Sequence, residues 1–310
     1  MKINHSNIKK AKILLNKNEC IAIPTETVYG LAGNAYSDKA CKKIFTLKKR
    51  PNYNPLIIHY FNYQASKKDC VLNDDFFRLY KKFCPGPITF ILELKQKSKI
   101  SKIATNKKYS VAIRFPKHPI ARCLLKNLKF PLAAPSANLS SKVSAVNSND
   151  VKEDFGKKLK YILEGGQSFI GLESTIIDVR NKPKILRLGG LEVSSIQKVL
   201  KKRIKINLNS SKIVAPGQLK LHYSPGIPIR LNAKNAKDNE AYLLFKKIEK
   251  NKPNYFFLSK RGDLKEAAKN LYNILRKIKK SKYKSIAVAK IPDKGLGKTI
   301  NDRLLRASKF

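Results

Sequence analysis

The sequence predicts an α/β protein whose main sheet mixes parallel and antiparallel strands. Three observations predict it. Short apolar runs alternate with amphipathic helical stretches through the first two hundred residues. A four-residue polar turn splits two apolar runs into a hairpin. An aperiodic stretch rich in Ser, Asn, Pro and Gly at 207–224 then precedes a second, smaller alternating unit.

Taken in order, Ile8, Ala11, Leu14 and Leu15 recur at helical spacing near the N-terminus. Residues 20–23, 56–61, 88–94, 111–115 and 132–134 read as strands. Between them, 38–48 puts Ala40, Cys41, Ile44, Phe45 and Leu47 on one helical side, with Ser37 or Asp38 as N-cap. Residues 74–83 form a helix stopped by Pro85-Gly86-Pro87, and 119–127 and 151–158 are further helices. The hairpin joins 174–179 to 184–188 through Arg180-Asn181-Lys182-Pro183. The smaller unit carries strands at 230–231, 242–245, 255–258 and 286–291, and helices at 262–279 and 299–307. The expected division is therefore a domain over 1–206, a linker over 207–227 and a second domain over 228–310.

A chain of 310 residues with 42% hydrophobic and 28% charged residues suits a globular protein with a sizeable core. No apolar run approaches the roughly 18 residues of a membrane span. The basic N-terminus lacks a leader's apolar centre, so a cytoplasmic protein with no membrane partner is expected. Five scattered cysteines (Cys20, Cys41, Cys70, Cys84 and Cys123) make no C-x-x-C pair, which reads as buried thiols rather than zinc ligands or disulfides. The net charge of +45 has two readings. A basic surface attracts polyanions such as RNA. An A+T-rich coding sequence also inflates lysine, asparagine and isoleucine without any function.

Polar clusters follow successive apolar runs, where open α/β sheets bind ligands. They are Thr25-Glu26-Thr27 with Tyr29; Lys48, Arg50, Asn54 and His59; Arg114; "APSANLSSKVS" at 134–144; and Glu173-Ser174-Thr175 with Arg187 across the hairpin. Together they supply cations, hydroxyls and amides but no activated nucleophile, a set suited to phosphates and developing charge. Each cluster alone has a bland explanation: a solvated basic helix end, a core histidine, turn-forming threonines. Their recurrence after one strand after another argues against it. "GLGKT" at 295–299 imitates a phosphate loop, but the motif needs glycine where Pro292 stands.

The segments "PTETVYGLAG", "KKRPNYNPLIIH", "CPGPITFIL", "VAIRFP", "APSANLS" and "LESTIIDV", in that order, resemble the signatures of the YrdC-domain family of threonylcarbamoyl-AMP synthases. "APGQLKLHYSPGIP" and "GLGKTINDRLLRAS" are similar to the linker and C-terminal domain of its two-domain members. The resemblance implies a twisted open sheet with a concave basic pocket, then a smaller Rossmann-like domain. It implies a nucleotidyltransferase joining L-threonine, bicarbonate and ATP into L-threonylcarbamoyladenylate and pyrophosphate, with Mg²⁺ on the ATP. The product would pass to a tRNA threonylcarbamoyl transferase, which modifies the adenosine beside the anticodon, and tRNA itself is a further candidate partner. Thr27, His59, Arg114, Ala134 and Ser174 match the threonine site. Arg50, Asn54, Ser110, Ser136, Ser144 and Arg187 match the ATP site, and Tyr223 matches a lid contact over it. Lys48 and Arg50 are the expected catalytic cations on the triphosphate. No carboxylate pair stands out as a metal ligand. An RNA-binding module would not need the threonine-site residues. A hydrogenase-maturation carbamoyltransferase would carry zinc-finger cysteine pairs and an acylphosphatase unit.

Overall fold

The computed structural model describes residues 3–208, 222–249 and 252–309. Helix α1 (His5–Asn16) starts at Asn4, whose side chain accepts from the Asn7 N–H, and buries Ile8, Ala11 and Leu15. Strands β1 (Ile21–Ile23) and β2 (Gly30–Asn34) pair antiparallel around the 24–29 segment. Next come α2 (Asp38–Lys48), capped by Ser37, β3 (Ile57–His59), α3 (Tyr63–Ser66), α4 (Asp74–Phe83) and β4 (Ile88–Glu93). They are followed by α5 (Lys102–Thr105), β5 (Ser110–Arg114), α6 (Pro119–Lys126), β6 (Leu132–Ala133) and α7 (Ser148–Phe155). The hairpin strands β7 (Thr175–Asp178) and β8 (Lys184–Arg187), helix α8 (Val193–Leu200) and the short β9 (Lys205–Ile206) complete this part.

These nine strands form one mixed sheet in the order β1-β2-β6-β3-β5-β4-β7-β8-β9. One face is covered by α2, α4 and α8, whose Ile44, Phe76 and Ile196 join Ile58, Phe90 and Ile113 in the main core. On the other face α1 and α6 cover only the β1–β2–β6 end, packing Ile8, Leu15 and Leu124 on Ile21, Ile23 and Leu132. Side chains alternate along a strand, so the neighbours of the core residues point to the face that these helices leave open. There Ile57, Ile91, Ala112, Ile176 and Leu186 form a separate apolar floor. His59 and Arg114, two residues beyond Ile57 and Ala112 and paired with each other in register, lie on that floor's side.

The second unit is a four-stranded, all-parallel sheet of β10 (Ile229–Arg230), β11 (Glu240–Lys246), β12 (Tyr255–Ser259) and β13 (Ser285–Val288), in the order β10-β13-β11-β12. Helices α9 (Leu264–Lys280) and α10 (Leu296–Ala307) complete it. Their apolar sides share a core with Val28, Val143, Val146 and Leu172 of the first unit. The approach is close: a Cβ on Gly171, whose φ is +76°, would meet Lys269 backbone at 2.6 Å.

Three expectations need correction or limit. The "GLAGN" stretch, read within a polar binding segment, is strand β2, and its glycine serves packing: a Cβ on Gly33 would lie 3.2 Å from Ile44 of α2. Cys20, Cys41 and Cys70 are buried, whereas Cys84 and Cys123 are half-exposed; all are free thiols. The expected linker at 207–227 lies, over 209–221, outside the described residues.

Candidate active site

The 24–29 segment is a strap held by its own hydroxyls and by the 165–171 loop. Thr25 Oγ1 accepts from the Thr27 and Val28 N–H groups and donates to Val28 O at 2.6 Å. Its hydrogen is thereby used, so Thr27 Oγ1 must donate to it across 2.8 Å. Thr27 keeps its lone pair for Arg114, whose Nη2 donates to Thr27 Oγ1 and to Glu26 Oε1, both at 2.7 Å. The second Glu26 oxygen accepts from the Lys117 N–H. The Arg114 Nε is buried and, among the described residues, has no hydrogen-bond partner. Beside it, burial, reinforced by the Arg114 charge, pushes His59 from an ordinary 6.5 down to about 3, so its ring is neutral. Its Nδ1 lies 3.2 Å from Ile57 O, which can only accept.

The other end of the pocket is cationic. Arg50 donates through Nε to Asn54 O and through Nη2 to Pro55 O, and the buried Asn54 amide has no partner for either atom among the described residues. Burial and then Arg187 bring the Arg50 guanidinium down to about 9, still charged at neutral pH. Arg187 is fixed by Ser174: Nε and Nη2 donate to its carbonyl and Nη2 to its Oγ, which also bonds Thr89 Oγ1. Ser144 Oγ donates to Glu173 Oε1 at 2.6 Å.

The pocket between these ends is lined by Arg50, His59, Arg114, Ala134, Ser136, Arg187 and Tyr223 among the expected residues, with Thr25, Tyr29, Glu173 and His222 beside them. Thr27, Asn54 and Ser174 stand one contact behind, through Arg114, Arg50 and Arg187. Ser110 lies at the far end of the floor, four residues before Arg114 and so roughly 13 Å along β5.

Lys48 is placed otherwise than expected. Its Nζ does not line the pocket; it donates to the Ser136 and Asn138 carbonyls at the end of α2. Burial, then Arg50, lowers its pKa well below the usual lysine value. A run of basic residues could not reveal that one ammonium turns inward to satisfy a loop.

Residues 222–223 fill the pocket from above. His222 and Tyr223 are buried, and among the described residues the His222 Nδ1 and Tyr223 Oη have no partner. Only about 40 Å³ stays free, against the roughly 300 Å³ or more of a typical ligand site. His222 and Tyr223 occupy the rest of that space in this conformation. A larger cavity of about 730 Å³ lies between α8, β9 and the start of α10, but it contains none of these orphan groups. Gly295 there begins α10, and Thr299 donates to Gly189 O, so "GLGKT" serves contact between the two units.

Sequence reasoning missed the roles of Glu26, Glu173, His222, Tyr272 and Arg303. The two glutamates, His222 and Arg303 stood inside quoted segments, but no local pattern pairs Tyr272 and Arg303 with Glu173, because they lie 99 and 130 residues from it.

Residues 13–189 match the Sua5, YciO and YrdC domain family, described as telomere recombination. Residues 191–309 match the family described as threonylcarbamoyl-AMP synthase, C-terminal domain. The chain belongs to the threonylcarbamoyl-AMP synthase family. Among relatives of that name, one from Pyrococcus abyssi is 34% identical, covering all of this chain and 96% of its own. Another, from Bacillus subtilis, is 33% identical, covering 98% and 94%. The crystal structure of P. abyssi Sua5 complexed with L-threonine superposes with a TM-score of 0.91 at 31% identity, over 99% of this chain and 96% of that one. E. coli YciO, at 23% identity and a TM-score of 0.54, shares the fold over 60% of this chain. Among the described residues, no helix is long and apolar enough to cross a membrane.

Proposed function

We propose that this member of the threonylcarbamoyl-AMP synthase family joins L-threonine, bicarbonate and ATP into L-threonylcarbamoyladenylate and pyrophosphate, for a tRNA threonylcarbamoyl transferase to use. The observation that carries the reading is one pocket with two separate charged ends: Arg114 with an unpaired Nε at one, Arg50 and Arg187 at the other. Relatives bearing that name over their whole length support it, as does a close structural relative complexed with L-threonine.

In this reading the threonine carboxylate takes the free Arg114 donor, a charge-assisted contact. Thr27 and Glu26 hold that guanidinium in place, and neutral His59 and Ala134 bound the side-chain niche. The threonine amine attacks the bicarbonate carbon, water leaves, and a carbamate forms. A carbamate oxygen then attacks the α-phosphorus while the bond to the β-phosphate oxygen breaks, releasing pyrophosphate. Arg50 and Arg187, with Asn54 and Ser136, sit where the phosphates' growing charge needs fixed donors. Lys48 holds the 136–138 loop rather than the phosphates. Ser144 reaches the nucleotide end through Glu173, and Ser110 extends the floor toward the base.

Among the described residues no group of His, Cys, Asp or Glu side chains is arranged to hold a metal ion. In this reading Mg²⁺ is carried on the triphosphate as part of the substrate. Incubating the protein with labelled threonine, bicarbonate and MgATP should yield the adenylate and one pyrophosphate per adenylate. Hydrolysis of ATP to ADP, or product that forms equally well without bicarbonate, refutes the reading.

A further inference from the structure

Glu173 poses a problem of charge. It is a buried carboxylate on the wall of a pocket that the reading above assigns to phosphates, beside Arg187. Burial alone would push its pKa up, yet Arg303, Arg187 and the Ser144 hydroxyl outweigh burial and hold it near 2. It is therefore ionised, and uncompensated it would repel phosphate and draw Arg187 away from it.

The compensation comes from the second unit. Arg303, only 1% exposed, donates from Nε to Glu173 Oε2 at 3.0 Å and from Nη2 to Leu188 O. Its guanidinium carbon also lies 4.5 Å from the centre of the Tyr223 ring. Tyr272 of α9 donates to the same carboxylate at 3.0 Å, and its ring stacks on Tyr223 at 5.9 Å and 15°. Arg303 projects one turn beyond Thr299, which ties α10 to Gly189.

We propose that Arg303 is a positioning residue for the nucleotide end: from α10 it neutralises Glu173 and seats Tyr223, so that the C-terminal unit completes the site. This rests on the nucleotide reading given above. A merely structural arginine would behave differently: removing one partner of a buried pair destabilises the fold and would weaken both substrates alike.

The test uses the full-length chain and follows two substrates separately. Arg303→Met should raise the ATP dissociation constant, measured by calorimetry, and the ATP KM about tenfold or more, leaving the threonine KM within about threefold. Adding Glu173→Gln to Arg303→Met should recover most of that loss, because the pocket carboxylate is then neutral while Asp302, which Arg303 also contacts, keeps Arg306. Arg303→Lys, which keeps the charge but not the flat contact with Tyr223, should fall between wild type and Arg303→Met, and it serves if the Met variant does not fold. Unchanged ATP affinity in Arg303→Met, equal damage to both substrates, no recovery in the double variant, or a Lys variant as weak as the Met one would overturn the proposal. Calorimetry reads ATP binding without turnover. Wild-type protein that binds ATP but makes no adenylate would thus count against the proposed reaction and not against Arg303.

Discussion

The two ends of the pocket are built by different means. At the Arg114 end every polar partner comes from the first unit: Glu26 and Thr27 from the strap, His59 and Arg114 from adjacent strands in register. At the Arg50 end the set closes only when Tyr223, Tyr272 and Arg303 arrive from the segment after 221 and from the second unit. The first end takes its hydrogen bonds from β3, β5, the strap and the 165–171 loop, all within the first unit. The second depends on the packing of two units, so its order can change while the first stays intact.

The contrast can be broken most severely at Arg114. Arg114→Gln removes the carboxylate's partner and leaves Glu26 buried without a cation, so kcat/KM for threonine should fall by roughly 3–5 kcal/mol. ATP binding measured by calorimetry should hardly change; a matching loss of ATP affinity would mean that the ends are not independent.

Arg50→Ala comes next. Losing one phosphate contact in a desolvated site costs on the order of 2–4 kcal/mol in the transition state, a hundredfold or more in adenylate formation. Threonine affinity should survive. Near-normal turnover would remove Arg50 from the chemistry.

A milder perturbation tests the packing itself. Arg276 of α9 donates to Val143 O and to Asp154, tying the second unit to the first away from the pocket. Arg276→Leu should weaken that tie by roughly 1–3 kcal/mol. Faster amide exchange at 143–146 and weaker ATP binding, with threonine binding retained, are the expected results. Unaltered ATP binding alongside faster exchange would show that the nucleotide end tolerates loose docking.

The smallest effect is that of mild acid. His59 has its pKa lowered to about 3 in the fold, so between 3 and 6.5 the unfolded chain binds the extra proton and stability falls as pH falls. From pH 7 to pH 6 the loss is under about 1 kcal/mol. Glu173, lowered from 4.5 to about 2, adds a loss of the same sign as pH falls below 4.5 toward 2. Thermal melts of wild type and His59→Asn at pH 7 and pH 5 separate the two groups: the Asn variant should lose less on acidification over that interval. An equal loss in both proteins would exclude His59 as the cause.

Much of this molecule could be read along the chain. Helix α2 spans 38–48 as its apolar spacing and Ser37 cap dictate, and α4 spans 74–83 up to the Pro-Gly-Pro stop. The hairpin at β7 and β8 pairs across its polar turn. Local rules sufficed because caps, prolines and side-chain periodicity act within a few residues. Strand β2 escaped them because its two glycines carry a turn's composition, while their purpose lies across the fold: Gly33 approaches α2 and Gly30 approaches Ala134 and Pro135. Helix α8 and strand β9 escaped as well, being short elements between the hairpin and the linker.

By itself the sequence determined the α/β class, the family and most of the pocket's inventory, since motif order and residue chemistry survive without coordinates. Tertiary structure decided what each ionisable group does. Lys48 and Arg50 are two residues apart in one basic run, yet one ammonium satisfies two carbonyls while the other cation lines the pocket. Glu173 meets Arg303 only because α10 packs against the loop before β7. Charge acts through distance and desolvation, and neither is a property of neighbours along the chain.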